Sequence, residues 1–373
     1  MHLKSLQLIN FKNYEEAQVE LIPNVNCFTG DNGSGKTNIL DAVHYLSMCK
    51  SYLNAVDKQN IRFDQPFFVV QGMFETGEQD VQISCSVKVG SKKTFKRNKK
   101  EYEKLSEHIG QFPCVMISPY DRNLISEGSE LRRKWMDGII AQSNKEYLSD
   151  LQRYAKVIDQ RNALLKNMYE SRLFDKESIE VWDHQLEIYA TKIYEVRLEF
   201  LKEFIPVFQR IYNEIGDLEE EVSLEYKSQL HEATMSELIL QYQKKDAYSQ
   251  YTNAGTHKDD LLFTIRHNPV KKFGSQGQQK SFLIALRLAQ FEWLKDHLNT
   301  IPIVLLDDIF DKLDNKRVQR LMHLVTDKSF GQVLVTDTNM DRLEEIFSEI
   351  EVPIQYFNVN NGVVESPLKP IKS

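Results

Sequence analysis

Residues suited to binding a nucleotide lie at two places far apart in the chain, and the first is a glycine-rich loop. Residues 30–37 read GDNGSGKT and fit the pattern G-x-x-x-x-G-K-[ST] without a mismatch. Glycines let backbone N–H groups converge on phosphate oxygens, and the helix that follows points its positive end at the same anion. The side chains of Lys36 and Thr37 are expected to contact the β- and γ-phosphates and Mg²⁺, respectively. The residues expected to hold ATP here are Gly30, Asp31, Asn32, Gly33, Ser34, Gly35, Lys36 and Thr37.

The second place is a pair of carboxylates, Asp307 and Asp308, at the end of the apolar run 303–306. Adjacent buried carboxylates are costly unless they face a metal or a partner. We interpret Asp307 as a Mg²⁺ ligand and Asp308 as the group that orients or activates the attacking water, with Lys36 as the third catalytic residue. Aspartate is one methylene shorter than the glutamate that many such ATPases carry, which favours slow hydrolysis. The alternative is that Asp308 caps a helix.

A third motif, SQGQQK at 275–280, precedes a run rich in Leu, Ile and Ala that predicts a helix. A serine and a glycine at a helix N-terminus form an anion site. The glycine-rich loop already supplies a binding site for the γ-phosphate of the chain's own ATP. We therefore expect Ser275, Gly277 and Gln278 to contact the ATP of a second chain. The alternative interpretation is an ordinary helix N-cap.

Periodicity divides the chain into three segments. Residues 1–125 and 255–373 combine short strands with helices, and the strand predicted at Val25–Thr29 runs straight into the glycine-rich loop. Residues 126–254 contain almost no glycine and carry long amphipathic helical patterns. The prediction is an α/β fold of the P-loop ATPase type, in which a helical insertion separates the two halves of one ATPase lobe.

Composition indicates a soluble protein, with 41% hydrophobic and 27% charged residues and no apolar run near the ~20 residues of a membrane span. The N-terminus alternates polar and apolar residues like a strand, and the four scattered cysteines indicate reduced thiols in the cytoplasm. The net charge of -7 restricts any nucleic-acid surface to a local patch. Residues 91–100 form one candidate, or else a solvated hairpin tip. Its basic residues are Lys92, Lys93, Lys96, Arg97, Lys99 and Lys100.

Taken together, these motifs resemble a known family. The SQGQQK signature, LLDD at 305–308 and DKLD at 311–314 are similar to the ABC-type ATPase heads of SMC (chromosome-maintenance) and recombination proteins. Within that group, the chain resembles the RecF family of bacterial recombination mediators. The resemblance extends over LQLINFKNYEEAQVEL at 6–21, LRRKWMD at 131–137, YAKVIDQRNALLK at 154–166 and GTHKDD at 255–260.

The resemblance implies a weak DNA-dependent ATPase that forms a homodimer when ATP binds. Ser275 and Gly277 would cap the γ-phosphate held by the partner's Lys36, and Asp314 would lie near the same seam. The closed dimer would grip duplex DNA near single-strand gaps and release it on slow hydrolysis. RecO- and RecR-type mediator proteins would be the partners in loading RecA, and no membrane would be involved.

Three alternatives differ in class. A nucleotide-binding subunit of an ABC transporter shares the loop and the signature, but it normally carries a histidine after its last core strand, where this chain has VTDT at 335–338. An ATP-dependent nuclease of the overcoming-lysogenization-defect type would need a downstream metal-binding domain, and we expect none in this chain. A clamp that binds ATP without hydrolysis remains open.

Arg132, Arg133 and Lys134 are a second candidate set for DNA phosphates.

Overall fold

The computed structural model describes residues 1–173, 175–216, 220–310, 315–326, 330–348 and 351–365. The chain folds into two compact units. The first comprises Met1–Asp121, Ile211–Leu218 and Lys280–Ser373, and the second comprises Arg122–Arg210 and Glu219–Gln279. The first division lies close to the predicted boundary at 125, whereas the second lies 25 residues beyond the predicted boundary at 254. This division lies later because the strand Asp260–Ile265 pairs with the strand Val222–Lys227 within the second unit.

The first unit contains an antiparallel sheet in the order β2-β1-β4-β5-β6-β7. Alternate side chains of its longer strands are buried, as expected for a sheet with one face on the core. Its strands are β1 (His2–Phe11), β2 (Tyr14–Glu20), β4 (Phe67–Thr76), β5 (Gln79–Lys88), β6 (Thr94–Arg97) and β7 (Lys100–Glu101).

The second sheet of this unit has the order β15-β14-β3-β13-β12-β8 and is parallel from β14 to β8. Every residue of β3, β8, β12 and β13 is buried, which explains why their sequences are mostly apolar and do not alternate with polar residues. Its strands are β3 (Val25–Thr29), β8 (Cys114–Ile117), β12 (Ile303–Asp307), β13 (Val333–Asp337), β14 (Ile354–Asn360) and β15 (Val363–Glu365).

Helix α1 (Lys36–Met48) contacts strands of both sheets, and its buried face joins them in one hydrophobic core. Close packing leaves no room at Gly72 on β4, where a Cβ would lie 2.7 Å from Leu46 Cδ1. Helices α9 (Asn315–Thr326) and α10 (Met340–Ile346) complete this unit. Helices α5 (Lys176–Ile215) and α8 (Gln276–His297) contribute residues to both units.

The second unit is mainly helical, as its sequence predicts. Besides most of α5, its helices are α2 (Arg122–Ser126), α3 (Ser129–Ser143), α4 (Lys145–Ser171), α6 (Met235–Ser249) and α7 (Val270–Phe273). It also contains a small antiparallel sheet of β9 (Val222–Lys227), β10 (Asp260–Ile265) and β11 (Asn268–Pro269), in the order β11-β10-β9. Sequence analysis did not anticipate β9. In the described parts of the chain, no helix is long and apolar enough to cross a bilayer.

A buried ionic network joins the helices of this unit to the GTHKDD segment. The guanidinium of Arg197 on α5, which is 2% exposed, donates to both carboxylate oxygens of Asp137 at 3.0 Å and to Asp259 Oδ2 at 2.8 Å. It also donates to the carbonyl oxygen of Thr256. Because burial is costly for an unpaired charge, these four bonds hold α3, α5 and the segment before β10 in one arrangement.

His257 makes the stability of this unit depend on pH. Its Nδ1 lies 2.7 Å from Tyr154 Oη and its Nε2 lies 2.9 Å from the carbonyl oxygen of Thr252. Burial lowers the pKa of His257 to about 4, below the ~6.5 of an unfolded imidazole. The unfolded chain therefore binds the proton more tightly, so stability is fully present above about pH 6.5 and is lost as the pH falls towards 4.

Between pH 7 and pH 5, we expect the wild type to lose about 2 kcal/mol more unfolding free energy than the His257→Gln variant. Glutamine can still accept from Tyr154 and donate to Thr252, but it does not titrate. Urea unfolding at the two pH values measures the difference. An equal loss in the variant and the wild type would show that His257 is not protonated in this range.

Candidate functional site

The glycine-rich loop connects β3 to α1 in the first unit, and its backbone requires glycine at two positions. Gly30 has φ +150° and Gly35 has φ +119°. A Cβ on Gly30 would lie 2.1 Å from the carbonyl oxygen of Val359. Helix α1 begins at Lys36, directly after the loop, so its N-terminal N–H groups face the loop as the sequence predicts.

Residues of the β1–β2 turn support the loop from outside. Asn13 Nδ2 donates to the carbonyl oxygen of Ser34 at 2.9 Å, and Tyr14 Oη donates to that of Gly35 at 3.0 Å. Asn13 Oδ1 accepts from Asn38 Nδ2 at 2.7 Å. Side chains outside the loop therefore satisfy the carbonyl oxygens of Ser34 and Gly35 and help to hold the loop in place.

Lys36 Nζ lies inside the loop and donates to the carbonyl oxygens of Gly30 at 2.8 Å and Asp31 at 3.0 Å. The lysine is buried, with 4% of its surface exposed. An ammonium group held at the centre of a glycine loop is positioned to bind a phosphate as a point charge.

Asp307 accepts hydrogen bonds from hydroxyl groups on three different elements. Thr37 Oγ1 donates to its Oδ1 at 2.8 Å and Thr336 Oγ1 at 2.9 Å, and Ser118 Oγ lies 3.4 Å from its Oδ2. Burial raises the pKa of Asp307, and the hydroxyl donors and Lys36 lower it only in part. The structure thus places the two predicted Mg²⁺ ligands, Thr37 and Asp307, in direct contact, although 270 positions separate them.

Asp308 follows with a backbone φ of +44°, in the left-handed region. Its N–H donates to Thr336 Oγ1 at 3.1 Å. Helix α9 is described from Asn315 onward, and the segment between Asp308 and α9 lies partly outside the described residues, so the helix-cap alternative for Asp308 stays a prediction. A non-glycine residue in this conformation is strained, and such strain is concentrated at functional sites.

The residues present fit ATP and Mg²⁺. Ser34 Oγ is buried inside the loop and has no hydrogen-bond partner among the described residues, so a phosphate oxygen would satisfy it. Gly33 is exposed, and a Cβ on it would meet nothing within 4 Å, so the loop has open space beside this residue. The hydroxyl of Thr37 and the carboxylate of Asp307 are oxygen ligands of the kind that Mg²⁺ prefers.

The signature motif begins α8, and its first turn is capped reciprocally. Ser275 Oγ accepts from the N–H of Gln278 at 3.2 Å, while Gln278 Oε1 accepts from the N–H of Ser275 at 2.7 Å. This is a capping box, so Ser275 acts as the N-cap of α8, as the alternative interpretation predicts. Gln278 Nε2 also donates to Glu220 Oε1 at 2.6 Å, which makes its side chain a structural group.

The basic run 91–100 covers the segment before β6, β6 itself and the hairpin turn into β7, and its six basic residues are not equivalent. Lys93 Nζ lies 2.9 Å from Asp57 Oδ2 and donates to the carbonyl oxygen of Cys49 at 2.6 Å, so it anchors the hairpin to the C-terminal end of α1. Arg97 donates to Gln111 Oε1 at 2.8 Å. Four exposed residues remain available for a large anion: Lys92, Lys96, Lys99 and Lys100.

The second candidate set for DNA is not supported by the structure. Arg132 is buried and donates to both carboxylate oxygens of Asp260 at 2.8 and 3.0 Å. Arg133 donates to Ser129 Oγ and to the carbonyl oxygen of Asp259, and Lys134 forms an ion pair with Glu130. The two arginines are therefore committed to fixing α3 against the start of β10.

Comparison with known proteins settles the family. The model of the RecF/RecN/SMC N-terminal domain matches residues 2–365. The DNA replication and repair protein RecF of Flavobacterium johnsoniae is 48% identical over 96% of this chain and 100% of its own length. The chain belongs to the RecF family. RecF of Phocaeicola vulgatus, also named a DNA replication and repair protein, is 47% identical over 98% of both chains.

Solved structures agree with this assignment. A structure of the recombination mediator protein RecF with ATP, described as part of the RecFOR pathway, is 27% identical, with a TM-score of 0.88 over 99% of this chain and 98% of the other. An Smc head domain from Pyrococcus furiosus, 17% identical over 98% and 95% of the two chains, has a TM-score of 0.56 and shares the fold. The predicted fold class is confirmed, and the comparisons favour the RecF family over a transporter subunit.

Several residues that shape this RecF-family site were not predicted to contact it. Asn13 and Tyr14 belong to the segment 6–21 that carries the resemblance, but no spacing rule connects them, Ser118 or Thr336 to the residues that they support. Thr336 belongs to VTDT at 335–338, which sequence analysis used only because it lacks the histidine of transporter subunits. Asp314, together with the rest of DKLD at 311–314, lies outside the described residues, so its predicted place at a dimer seam stays a prediction.

The support behind the loop predicts that Gly35→Ala is strongly disruptive. A Cβ there would lie 2.6 Å from Asn13 Nδ2 and 2.7 Å from Tyr14 Oη, on a backbone with φ +119°. We expect at least a tenfold loss of ATP affinity and a loss of about 2 kcal/mol of stability. Calorimetric titration with ATP and thermal unfolding measure the two effects.

Gly33→Ala is the matched control for stability, because its Cβ would meet nothing within 4 Å and only the positive φ is strained. We expect it to cost about 1 kcal/mol. Equal destabilisation by the two substitutions would mean that contact with Asn13 and Tyr14 does not constrain the loop.

Proposed function

We propose that this chain is an ATP-dependent DNA clamp of recombinational repair and replication restart, consistent with its RecF-family relatives. The observation that carries the proposal is the 2.8 Å contact between Thr37 Oγ1 and Asp307 Oδ1, which joins the phosphate loop to the carboxylate pair. A binding module without an ATP-dependent step has no need for a buried carboxylate beside a phosphate loop.

The chain's own residues have distinct roles at ATP. Lys36 exchanges the carbonyl oxygens of Gly30 and Asp31 for phosphate oxygens, and the loop N–H groups surround the same phosphates. Thr37 and Asp307 hold Mg²⁺, which neutralises charge on the β- and γ-phosphate oxygens. Asp308 orients or activates the attacking water. Its side chain is one methylene shorter than that of glutamate, which favours slow hydrolysis.

Dimerisation is the step through which ATP acts on DNA. Ser275 Oγ and the N-terminus of α8 bind the γ-phosphate held by the partner's Lys36, and each charge-assisted hydrogen bond is worth about 1.5–3 kcal/mol. ADP lacks these contacts, so hydrolysis shifts the equilibrium back to monomers. In the capping box, Ser275 Oγ accepts a hydrogen bond, and its own proton can be donated to a phosphate oxygen.

Duplex DNA beside single-strand gaps is the proposed target, and phosphate contacts come from Lys92, Lys96, Lys99 and Lys100. Lys93 and Arg97 belong to the originally predicted set but support the hairpin instead. RecO- and RecR-type mediators are the proposed protein partners in the cytoplasm, with RecA loading as the outcome.

Solution mass measured by light scattering tests the proposal. With Mg²⁺ and ATP the mass should double, and duplex DNA should favour the doubled species, whereas ADP should leave a monomer. Lys36→Arg should still bind some ATP but hydrolyse it poorly, because a guanidinium does not reproduce a point charge. A monomer under every condition would contradict the proposed ATP-dependent dimerisation and leave only a P-loop ATPase.

The DNA surface is tested separately by salt dependence. Changing the four exposed lysines to glutamine should weaken binding and reduce the slope of log K against log[salt] by about 0.9 for each lost phosphate contact. Lys134→Gln is a matched control, since that lysine is exposed and pairs with Glu130. An unchanged slope in the four-lysine variant would place the DNA elsewhere.

A further inference from the structure

Thr336 lies on β13, directly beside Asp307 in the parallel pairing of β12 with β13. The residue is fully buried, in a strand whose other residues are also buried. A threonine in such a position needs partners for its hydroxyl group, because an unsatisfied buried hydroxyl is costly.

The hydroxyl of Thr336 contacts both residues of the carboxylate pair. It donates its proton to Asp307 Oδ1 at 2.9 Å and accepts the N–H of Asp308 at 3.1 Å. The single proton of a hydroxyl fixes the direction of one bond, and its lone pairs fix the direction of the other. One side chain therefore ties the carboxylate of Asp307 to the peptide that carries Asp308.

The second of these bonds restrains a strained segment. Asp308 has φ +44°, and aspartate reaches that region only at a cost that surrounding contacts must offset. The bond from its N–H to Thr336 Oγ1 is such a contact, because it fixes the peptide on the N-terminal side of the strained residue. The direction in which Asp308 leaves the sheet thus depends on Thr336.

We propose that Thr336 is a positioning residue that orients Asp307 for Mg²⁺ and Asp308 for the attacking water. The inference rests on the proposed ATPase function and deepens it. Of the three hydroxyls around Asp307, Thr37 is itself a metal ligand, and Ser118 makes the longest contact, at 3.4 Å. Thr336 donates a short hydrogen bond to Asp307 and is not itself one of the proposed Mg²⁺ ligands.

Thr336→Val tests this role, because valine keeps the branched shape and removes the hydroxyl. Groups that orient metal ligands typically change metal affinity 10- to 100-fold when mutated. We expect the Mg²⁺ concentration needed for tight ATP binding, measured by calorimetry at fixed ATP, to rise at least tenfold. ATP binding in EDTA should change less than twofold, since the hydrogen bonds of the Thr336 hydroxyl go to Asp307 and Asp308 and not to the loop 30–35.

Two further readouts separate positioning from packing. Bound Mn²⁺, followed by electron paramagnetic resonance, should show weaker binding in Thr336→Val, and kcat should fall at least tenfold at saturating metal. Thr336→Ser keeps the hydroxyl and should restore both values to within threefold of the wild type. Thr338→Val is the control, because Thr338 is exposed and lies one residue beyond the end of β13.

The outcomes distinguish this inference from the proposed function. If the wild type shows no Mg²⁺-dependent ATP binding, the proposed function fails first. If the wild type shows it and Thr336→Val has the same metal requirement, the positioning role alone is overturned. Loss in both the valine and the serine variants, with lowered melting temperatures, would assign Thr336 to packing and would also overturn the role.

Discussion

Asp307→Asn is expected to abolish Mg²⁺-dependent ATP binding while making the ligand-free protein more stable. Asparagine keeps an oxygen that can accept from Thr37 and Thr336, but it lacks the charge that attracts the metal. We expect apparent affinity for Mg²⁺ and ATP together to fall at least 100-fold and hydrolysis to become undetectable. Calorimetric titration and phosphate release measure the two losses.

The expected gain in stability follows from the sign of a pKa shift. Burial raises the pKa of Asp307, so at neutral pH the carboxylate is less stable in the folded chain than in the unfolded one. A neutral side chain removes that cost, so the ligand-free variant should melt at a higher temperature than the wild type. Differential scanning calorimetry without ligand would contradict this reasoning if the variant melted lower than the wild type.

Asp308→Asn is the matched comparison for the chemistry. Asparagine tolerates the left-handed backbone at φ +44° and has nearly the same size, so only the charge is lost. We expect ATP binding close to that of the wild type and hydrolysis reduced at least tenfold. If Asp308→Asn lost metal binding as completely as Asp307→Asn, the division of roles between the two carboxylates would be wrong.

Replacing Arg197 with methionine is expected to have the largest effect on stability. The guanidinium offsets the charges of Asp137 and Asp259 in a buried network. Asp259 Oδ2 accepts from Arg197 and Tyr226, whereas its Oδ1 has no hydrogen-bond partner among the described residues. Removing one partner of a buried ion pair leaves an uncompensated charge, at a cost of about 3–5 kcal/mol. Chemical denaturation, together with limited proteolysis of the 122–210 segment, would show the loss.

Arg153→Met is the control for this substitution, because Arg153 is exposed on α4 and should tolerate the change within about 0.5 kcal/mol. Adding Asp259→Asn to Arg197→Met should recover part of the stability by removing one of the unpaired charges. If the single Arg197 variant were as stable as the Arg153 variant, the network would not hold the second unit together.

Local sequence patterns were sufficient wherever a residue and its neighbours along the chain determine the outcome. The strand at Val25–Thr29, the glycine loop and the helix from Lys36 were predictable because glycine spacing and helical periodicity are local properties. The buried strand before Asp307 was predictable from its apolar run. The resemblance carried by several motifs together was sufficient to predict the family.

Side-chain partners across the sheet were not predictable in this way. Sequence analysis assigned Lys93 to one candidate DNA surface and Arg132 to another. In the structure, Lys93 pairs with Asp57 and Arg132 pairs with Asp260. The extent of the second unit was missed for the same reason, since β9 and β10 are far apart in sequence and pair only in the folded chain.

The sequence by itself determined that this chain has a phosphate loop, a carboxylate pair and a signature motif at a helix start, because each is a short contiguous pattern. Only the tertiary structure decided that Thr37 touches Asp307 and that Thr336 connects Asp307 to Asp308. The physical reason is that parallel strands β3, β13 and β12 end at one edge of a sheet. The order of strands in that sheet, and not their order in the chain, selects which side chains meet.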